Sequence, residues 1–166
     1  MAGLPGTGKS TLACRLSAEL HGVVLDKDSL RAALFSDPWL EYSREQDDFC
    51  IELLLQAGRY LVARPKPPDF VFIDGRTFSK RYQIDRVAEY AVEVGCTSKL
   101  ICLTCSDETA RRRLHLGHVA KNRDFSLYRK IKASFESIER EHLILNTDHG
   151  LSDALIQESL QYLRGE

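Results

Sequence analysis

The residues with the clearest chemical purpose are the first eleven, Met1-Ala-Gly-Leu-Pro-Gly-Thr-Gly-Lys-Ser-Thr11. Gly3, Gly8, Lys9 and Ser10 have the spacing G-x-x-x-x-G-K-[ST], with Pro5, Gly6 and Thr7 inside the loop and Thr11 closing it. Such a run wraps a chain of phosphates in backbone N–H groups, and glycines let the backbone turn and approach closely enough to do so. Lys9 supplies a positive charge for the β- and γ-phosphates, and the Ser10 hydroxyl a ligand for Mg²⁺. The next residues, Leu12 to Leu20, read as a helix whose positive N-terminal end faces the anion. The ligand this pattern asks for is a nucleoside triphosphate with Mg²⁺, ATP in the simplest case.

Two further clusters could act on that ligand. Asp26-x-Asp28-x-x-Arg31 offers two carboxylates and a cation, and Asp74-Gly-Arg76 offers a carboxylate and a cation after an apolar run. A carboxylate beside a hydroxyl can align it as a nucleophile, whereas Asp28 is also well spaced to cap a helix over residues 29–35, and both roles are compatible. Arg31 is either a contact to substrate phosphate or a surface partner of an acidic residue. At Asp74 the choice lies between orienting Mg²⁺ and a simple strand-end turn, Asp-Gly being a common turn pair. Arg76 comes next as a substrate contact. Trp39 and Tyr42 are placed to wall an acceptor pocket, or else to pack a loop on the core.

These clusters need a scaffold, and hydrophobic periodicity outlines one. Short apolar runs at Val23–Leu25, Phe70–Ile73, Leu100–Cys105 and His142–Leu145 read as buried strands. Helical patterns separate them. One covers Ser29–Phe35. A long helix is capped by Ser43, with Gln46 completing a capping box, and stops at Arg64-Pro-Lys-Pro-Pro68. Another is capped by Ser79, carries Ile84, Val87, Ala88, Ala91 and Val94, and ends at Gly95. A helix from Ser106-Asp-Glu-Thr109 runs to Gly117, a second carries Leu127, Ile131, Phe135 and Ile138, and Ser152 caps the closing helix. Strands alternating with helices predict a parallel sheet covered on both faces, in a single α/β domain spanning residues 1–166.

Composition narrows the field. The 166 residues suffice to bury roughly 70% of the unfolded surface. A formal net charge of −1 and a pI near 6.5 disfavour a nucleic-acid partner, although a local basic groove would still serve one. No apolar run approaches the roughly 20 residues of a membrane span. Five cysteines, odd in number and set in apolar segments, suit a cytoplasmic location; Cys102-x-x-Cys105 lies inside a strand and reads as packing.

Taken together, the loop and Leu25-Asp-Lys-Asp-Ser-Leu-Arg31 resemble the nucleoside-monophosphate-kinase-like branch of P-loop proteins. The chain is most similar there to small ATP-binding kinases related to polynucleotide 5′-kinases, chloramphenicol phosphotransferases and adenylyl-sulfate kinases. The resemblance implies a three-layer P-loop NTPase fold with sheet order 2-3-1-4-5. It implies Asp28 as the base that accepts a proton from an acceptor hydroxyl, with Arg31 contacting acceptor or phosphate. It implies Asp74 on Mg²⁺ and a small basic helical lid over residues 111–132. In that lid, Arg113 is set against the adenine, and Lys121 and Arg123 stabilise the transferring phosphate, since Gly117 occupies the place of a second arginine. The expected activity is transfer of the γ-phosphate of Mg·ATP to a hydroxyl of a small molecule.

Two alternatives stand beside it: a kinase of nucleotide or polynucleotide ends, and an ATPase without a small-molecule acceptor. Against the ATPase, Gly75 succeeds Asp74 where hydrolysing enzymes place a water-activating Glu, and Asn146-Thr-Asp148 only partly echoes a guanine-reading motif. The acceptor and the oligomeric state stay open. One feature departs from the family pattern. The loop normally comes after a buried central strand, and only Met1 and Ala2 precede Gly3. The strand is expected to be missing or truncated, leaving its neighbours unpaired, and a form with further apolar residues ahead of Met1 is expected to be more stable.

Overall fold

Each apolar run becomes a strand of a parallel sheet. The computed structural model describes residues 1–115 and 125–166. Its strands are β1 (Ala2–Gly3), β2 (Gly22–Asp26), β3 (Phe70–Asp74), β4 (Ile101–Thr104) and β5 (Leu143–Asn146). The helices are α1 (Lys9–Glu19), α2 (Lys27–Leu34), α3 (Arg44–Val62), α4 (Arg81–Glu93), α5 (Asp107–His115), α6 (Phe125–Ala133) and α7 (Asp153–Arg164).

Alternation along the strands sorts the core into two layers, as a period of two requires. Ile101, Leu103 and Leu145 pack with Phe72 against α1 (Leu12, Leu16) and α7 (Ile156, Leu160, Leu163). Cys102, Ala2 and Ile73 face the other way, onto Ile51, Leu54 and Leu55 of α3 and Ile84 and Tyr90 of α4. Cys102 therefore packs as a strand residue, and burial pushes its thiol pKa up. Among the described residues no group of His, Cys, Asp and Glu is placed to hold a metal, and no helix is long and apolar enough to cross a membrane.

The first strand is short but present. β2 pairs β3 from Gly22↔Phe70 to Asp26↔Asp74, and β1 pairs β4 at Ala2↔Cys102 and Gly3↔Leu103, with β5 beyond β4. Two backbone bonds link β1 to the β3 side: the Met1 ammonium donates to the Ile73 carbonyl at 3.2 Å, and Gly3 N–H to the Thr77 carbonyl at 3.0 Å. The strands thus form two ladders, β2-β3 and β1-β4-β5, and these two bonds set the two-residue β1 beside β3, the place it has in the order 2-3-1-4-5. Beyond Met1, β3 and β4 flank an apolar cleft of about 360 Å³, lined among others by Phe70, Phe72, Tyr90, Val94 and Ile101.

Several helix ends differ from the sequence expectation. The cap of α2 is Asp26, which accepts Ser29 N–H at 2.7 Å, so Asp28 sits inside the first turn instead of capping it. Ser43 caps α3, yet Gln46 turns its amide to Glu41 N–H and the Trp39 carbonyl, leaving the box half-made. The cap of α4 is Lys80 in place of Ser79, because the Gln83 side chain reaches the Lys80 N–H at 3.2 Å. α6 ends at Ala133, before Phe135 and Ile138. Gly117, Lys121 and Arg123 of the expected lid lie outside the described residues.

Candidate functional site

α1 has no side-chain cap at its N-terminus, unlike α2, α3 and α7, whose Asp26, Ser43 and Ser152 each accept a backbone N–H. Its first N–H groups are left for an anion. Gly3 permits the loop to start there: a Cβ at this position would lie 2.3 Å from the Leu103 carbonyl oxygen of β4. Within the loop, Thr7 Oγ1 and Lys9 Nζ both donate to the Leu4 carbonyl, at 2.8 and 2.9 Å. Thr7 and Lys9 are buried, while Ser10 and Thr11 are exposed.

The back of the loop is stitched to the end of β5. Arg113 Nη1 donates to the Gly6 carbonyl and to Thr147 Oγ1, each at 3.1 Å, and Nη2 donates to the Thr147 carbonyl. Thr147 Oγ1 in turn donates to the Thr7 carbonyl at 2.8 Å. The structure therefore brings Arg113 to the loop backbone. Thr147 was not singled out from sequence; its signal was its place after an apolar strand, inside Asn146-Thr-Asp148. Asp148 next to it accepts the Ser106 N–H and hydroxyl, at 2.8 and 2.7 Å, which hold its carboxyl well below the usual carboxylate range. That carboxylate caps the start of α5.

Pro5, Lys9 and Ser10 share a cleft of about 250 Å³ with Asp28, Arg31, Tyr42, Asp47 and Arg76. What brings the two sides together is the turn after β3. Gly75 has φ +83°, and a Cβ there would meet Asp26 Oδ2 at 2.6 Å, Lys27 N at 2.7 Å and Asp28 N at 2.9 Å. The end of β3 is thus pressed against the first turn of α2, with Asp74 and Asp26 in register across the strands. Asp74 is 1% exposed, and neither carboxylate oxygen has a protein hydrogen-bond partner. A buried carboxylate without a hydrogen-bond partner is costly unless a cation meets it, so Asp74, one residue before the cleft-lining Gly75, fits a hard divalent ion such as Mg²⁺.

Across the cleft, Lys27 Nζ lies 2.9 Å from Asp28 Oδ1 and 2.6 Å from Asp47 Oδ1. Arg31 pairs with Asp47 and lies 3.9 Å from Asp28, and its guanidinium carbon sits 5.2 Å from the centre of the Tyr42 ring. Arg76, also buried, pairs with Asp48 at 2.5 Å and donates to the Tyr82 hydroxyl at 3.4 Å. Sequence pattern does not single out these partners: Lys27 lies between two aspartates at the start of α2, and Asp47 and Asp48 lie off the apolar stripe of α3. Trp39 is not brought to the cleft: it is 72% exposed and does not line it.

Residues 1–137 match the family described as AAA domain. The chain belongs to that family. Solved structures extend the likeness over the whole fold. The Mycobacterium tuberculosis APS kinase in complex with AMPPNP and APS is 20% identical, with a TM-score of 0.70, over 98% of this chain and 94% of that one. A Sinorhizobium meliloti gluconokinase is 19% identical, with a TM-score of 0.65, over 99% and 89%. Chaetomium thermophilum Kti12 in complex with ADP-AlF3 is 15% identical, with a TM-score of 0.66, over 99% and 95%. No curated protein matches the chain in sequence. The fold is that of the P-loop kinases, as the sequence motifs indicated.

Gly75→Ala tests the close approach at the cleft's centre. A side chain at positive φ costs roughly 1–2 kcal/mol before any overlap is counted, and the overlap here is with backbone. The denaturation midpoint should fall by more than that conformational cost alone; a midpoint equal to the parent's would show that β3 and α2 do not press together.

Proposed function

We propose that this protein is a Mg²⁺- and ATP-dependent phosphotransferase that moves the γ-phosphate of ATP to a hydroxyl of a small molecule. The observation that carries this is the cleft that Lys9 and Ser10 of the loop share with Asp28, with the buried Asp74 carboxylate directly preceding the cleft-lining Gly75. In this reading the loop from Gly3 to Thr11, with Pro5, Gly6, Thr7 and Gly8, wraps the phosphates, and Arg113 with Thr147 holds the loop in place for the nucleotide. Ser10 and Asp74 would hold Mg²⁺, which would supply neutralisation of phosphate charge. Arg31 and Arg76 contact the acceptor, and Arg123 belongs to the residues proposed to stabilise the transferring phosphate.

Asp28 orients the acceptor hydroxyl and takes its proton. The acceptor oxygen forms a bond to the γ-phosphorus, the bond from that phosphorus to the bridging oxygen breaks, and ADP leaves with the electron pair. Lys27 Nζ, 2.9 Å from Asp28 Oδ1, aims that carboxylate until the hydroxyl arrives. Support for a small acceptor comes from neighbours named as kinases of APS and gluconate, from a cleft of only about 250 Å³, and from the absence of global basic charge. A cytoplasmic setting suits the unpaired cysteines.

Titration calorimetry should show Mg·ATP binding, and no heat of association would end this reading. Asp28→Asn should lower acceptor-dependent transfer by on the order of 10²–10⁴-fold while nucleotide affinity changes little. Loss of affinity and transfer together would remove Asp28 from the role of base. Phosphate release that is indifferent to every hydroxyl acceptor would favour the ATPase alternative.

A further inference from the structure

The phosphate loop has two sides. Lys9 and Ser10 open onto the cleft that holds Asp28, so a triphosphate aligned for transfer points its γ end that way. Its nucleoside then leaves from the other side, where Gly6 and Thr7 lie against α5 and the end of β5. A Cβ on Gly6 would come 3.3 Å from the Ala110 carbonyl oxygen and 3.4 Å from Leu114 Cγ.

Among the described residues, Arg113, Thr147 and Asp148 on that side have the chemistry to read a base, and the protein engages each of them itself. Both Nη atoms of Arg113 donate to the Gly6 carbonyl or to Thr147. Thr147 is 1% exposed, and its hydroxyl donates to the Thr7 carbonyl at 2.8 Å. Asp148 Oδ1 accepts two hydrogen bonds from Ser106, and the Asp148 N–H is turned back onto Asn146 Oδ1 at 2.8 Å. Reading guanine through N1–H and its amino group takes both oxygens of a carboxylate, and here one is occupied. Arg113 can still lie flat on a base, but stacking accepts every base because each has a π-face.

These contacts act on the phosphate end instead. A trans peptide points its C=O and N–H in opposite directions, so holding the Thr7 carbonyl on Thr147 turns the Gly8 N–H to the inner side of the loop. We propose that the donor is selected by its triphosphate and not by its base, so that GTP and UTP serve alongside ATP. This rests on the phosphotransferase reading and widens its donor class. Arg113 and Thr147 are positioning residues of the loop, acting through the Gly6 and Thr7 carbonyls.

The test uses the full chain and titration calorimetry. Mg·AMPPNP comes first, and no heat of association ends the phosphotransferase reading before any bases are compared. The β,γ-imido analogues of GTP and UTP, as Mg²⁺ complexes, should then bind within about tenfold of AMPPNP, less than two hydrogen bonds to a base edge would supply. A preference for one base beyond that factor overturns the proposal. Mg·tripolyphosphate, which has no nucleoside, should also give measurable heat, and none from it overturns the proposal as well. Thr147→Val, close in shape, should weaken AMPPNP and tripolyphosphate several-fold and by the same factor, with Thr147→Ser restoring both. A loss confined to AMPPNP would put Thr147 at the base and overturn the proposal. The comparison of bases is made on the unaltered protein, so it decides even where Thr147→Val lowers the Tm.

Discussion

Everything at this site depends on one backbone contact, the end of β3 lying against the first turn of α2. Gly75 makes it possible, since any side chain there would occupy the space of Asp26 Oδ2 and the Lys27 and Asp28 nitrogens. Because β2 and β3 pair in register up to Asp26↔Asp74, the contact converts strand pairing into chemistry. It sets the unpartnered Asp74 carboxylate beside the turn that carries Lys27 and Asp28. It also fixes the direction of Arg76, which leaves the turn toward α3 and meets Asp48.

The elements of the candidate site arrive from different parts of the chain but by the same device. Each lies at or beyond the carboxyl end of a strand: the loop after β1, Asp28 after β2, Asp74 as the last residue of β3 and Thr147 after β5. Parallel strands place all of these ends on one edge of the sheet, where helix N-termini and loop amides also gather. The Arg113–Thr147–Thr7 stitch makes the loop's rigidity a property of that edge. The phosphate cradle is held from behind by β5, not only by its own glycines.

Much of this was legible in the sequence because it depends on residue type at fixed spacing. Lys9, Ser10, Asp28 and Asp74 come after apolar runs or glycines, and local pattern alone brings them out. The strands were legible for the same reason, being short and apolar on both faces. What could not be read depends on pairing between distant elements. Asp47 and Asp48 become site residues only because α3 packs beside α2, and an acidic pair in a helix's first turn looks like dipole complementation. Trp39 misled in the opposite sense: a lone tryptophan between two helices suggests an aromatic wall, and it stands largely in solvent. Helix caps slipped by one or two residues where a side chain, as with Gln83 and Lys80, reached a backbone group first.

Gly3 sets a further limit on substitution. A Cβ there would lie 2.3 Å from the Leu103 carbonyl oxygen and 3.1 Å from Thr7 Oγ1, so any side chain would push the loop off β4 and away from the Thr147 hydroxyl that holds the Thr7 carbonyl. The seat of the loop on the sheet is therefore set by backbone contact at one end and by a single hydroxyl at the other.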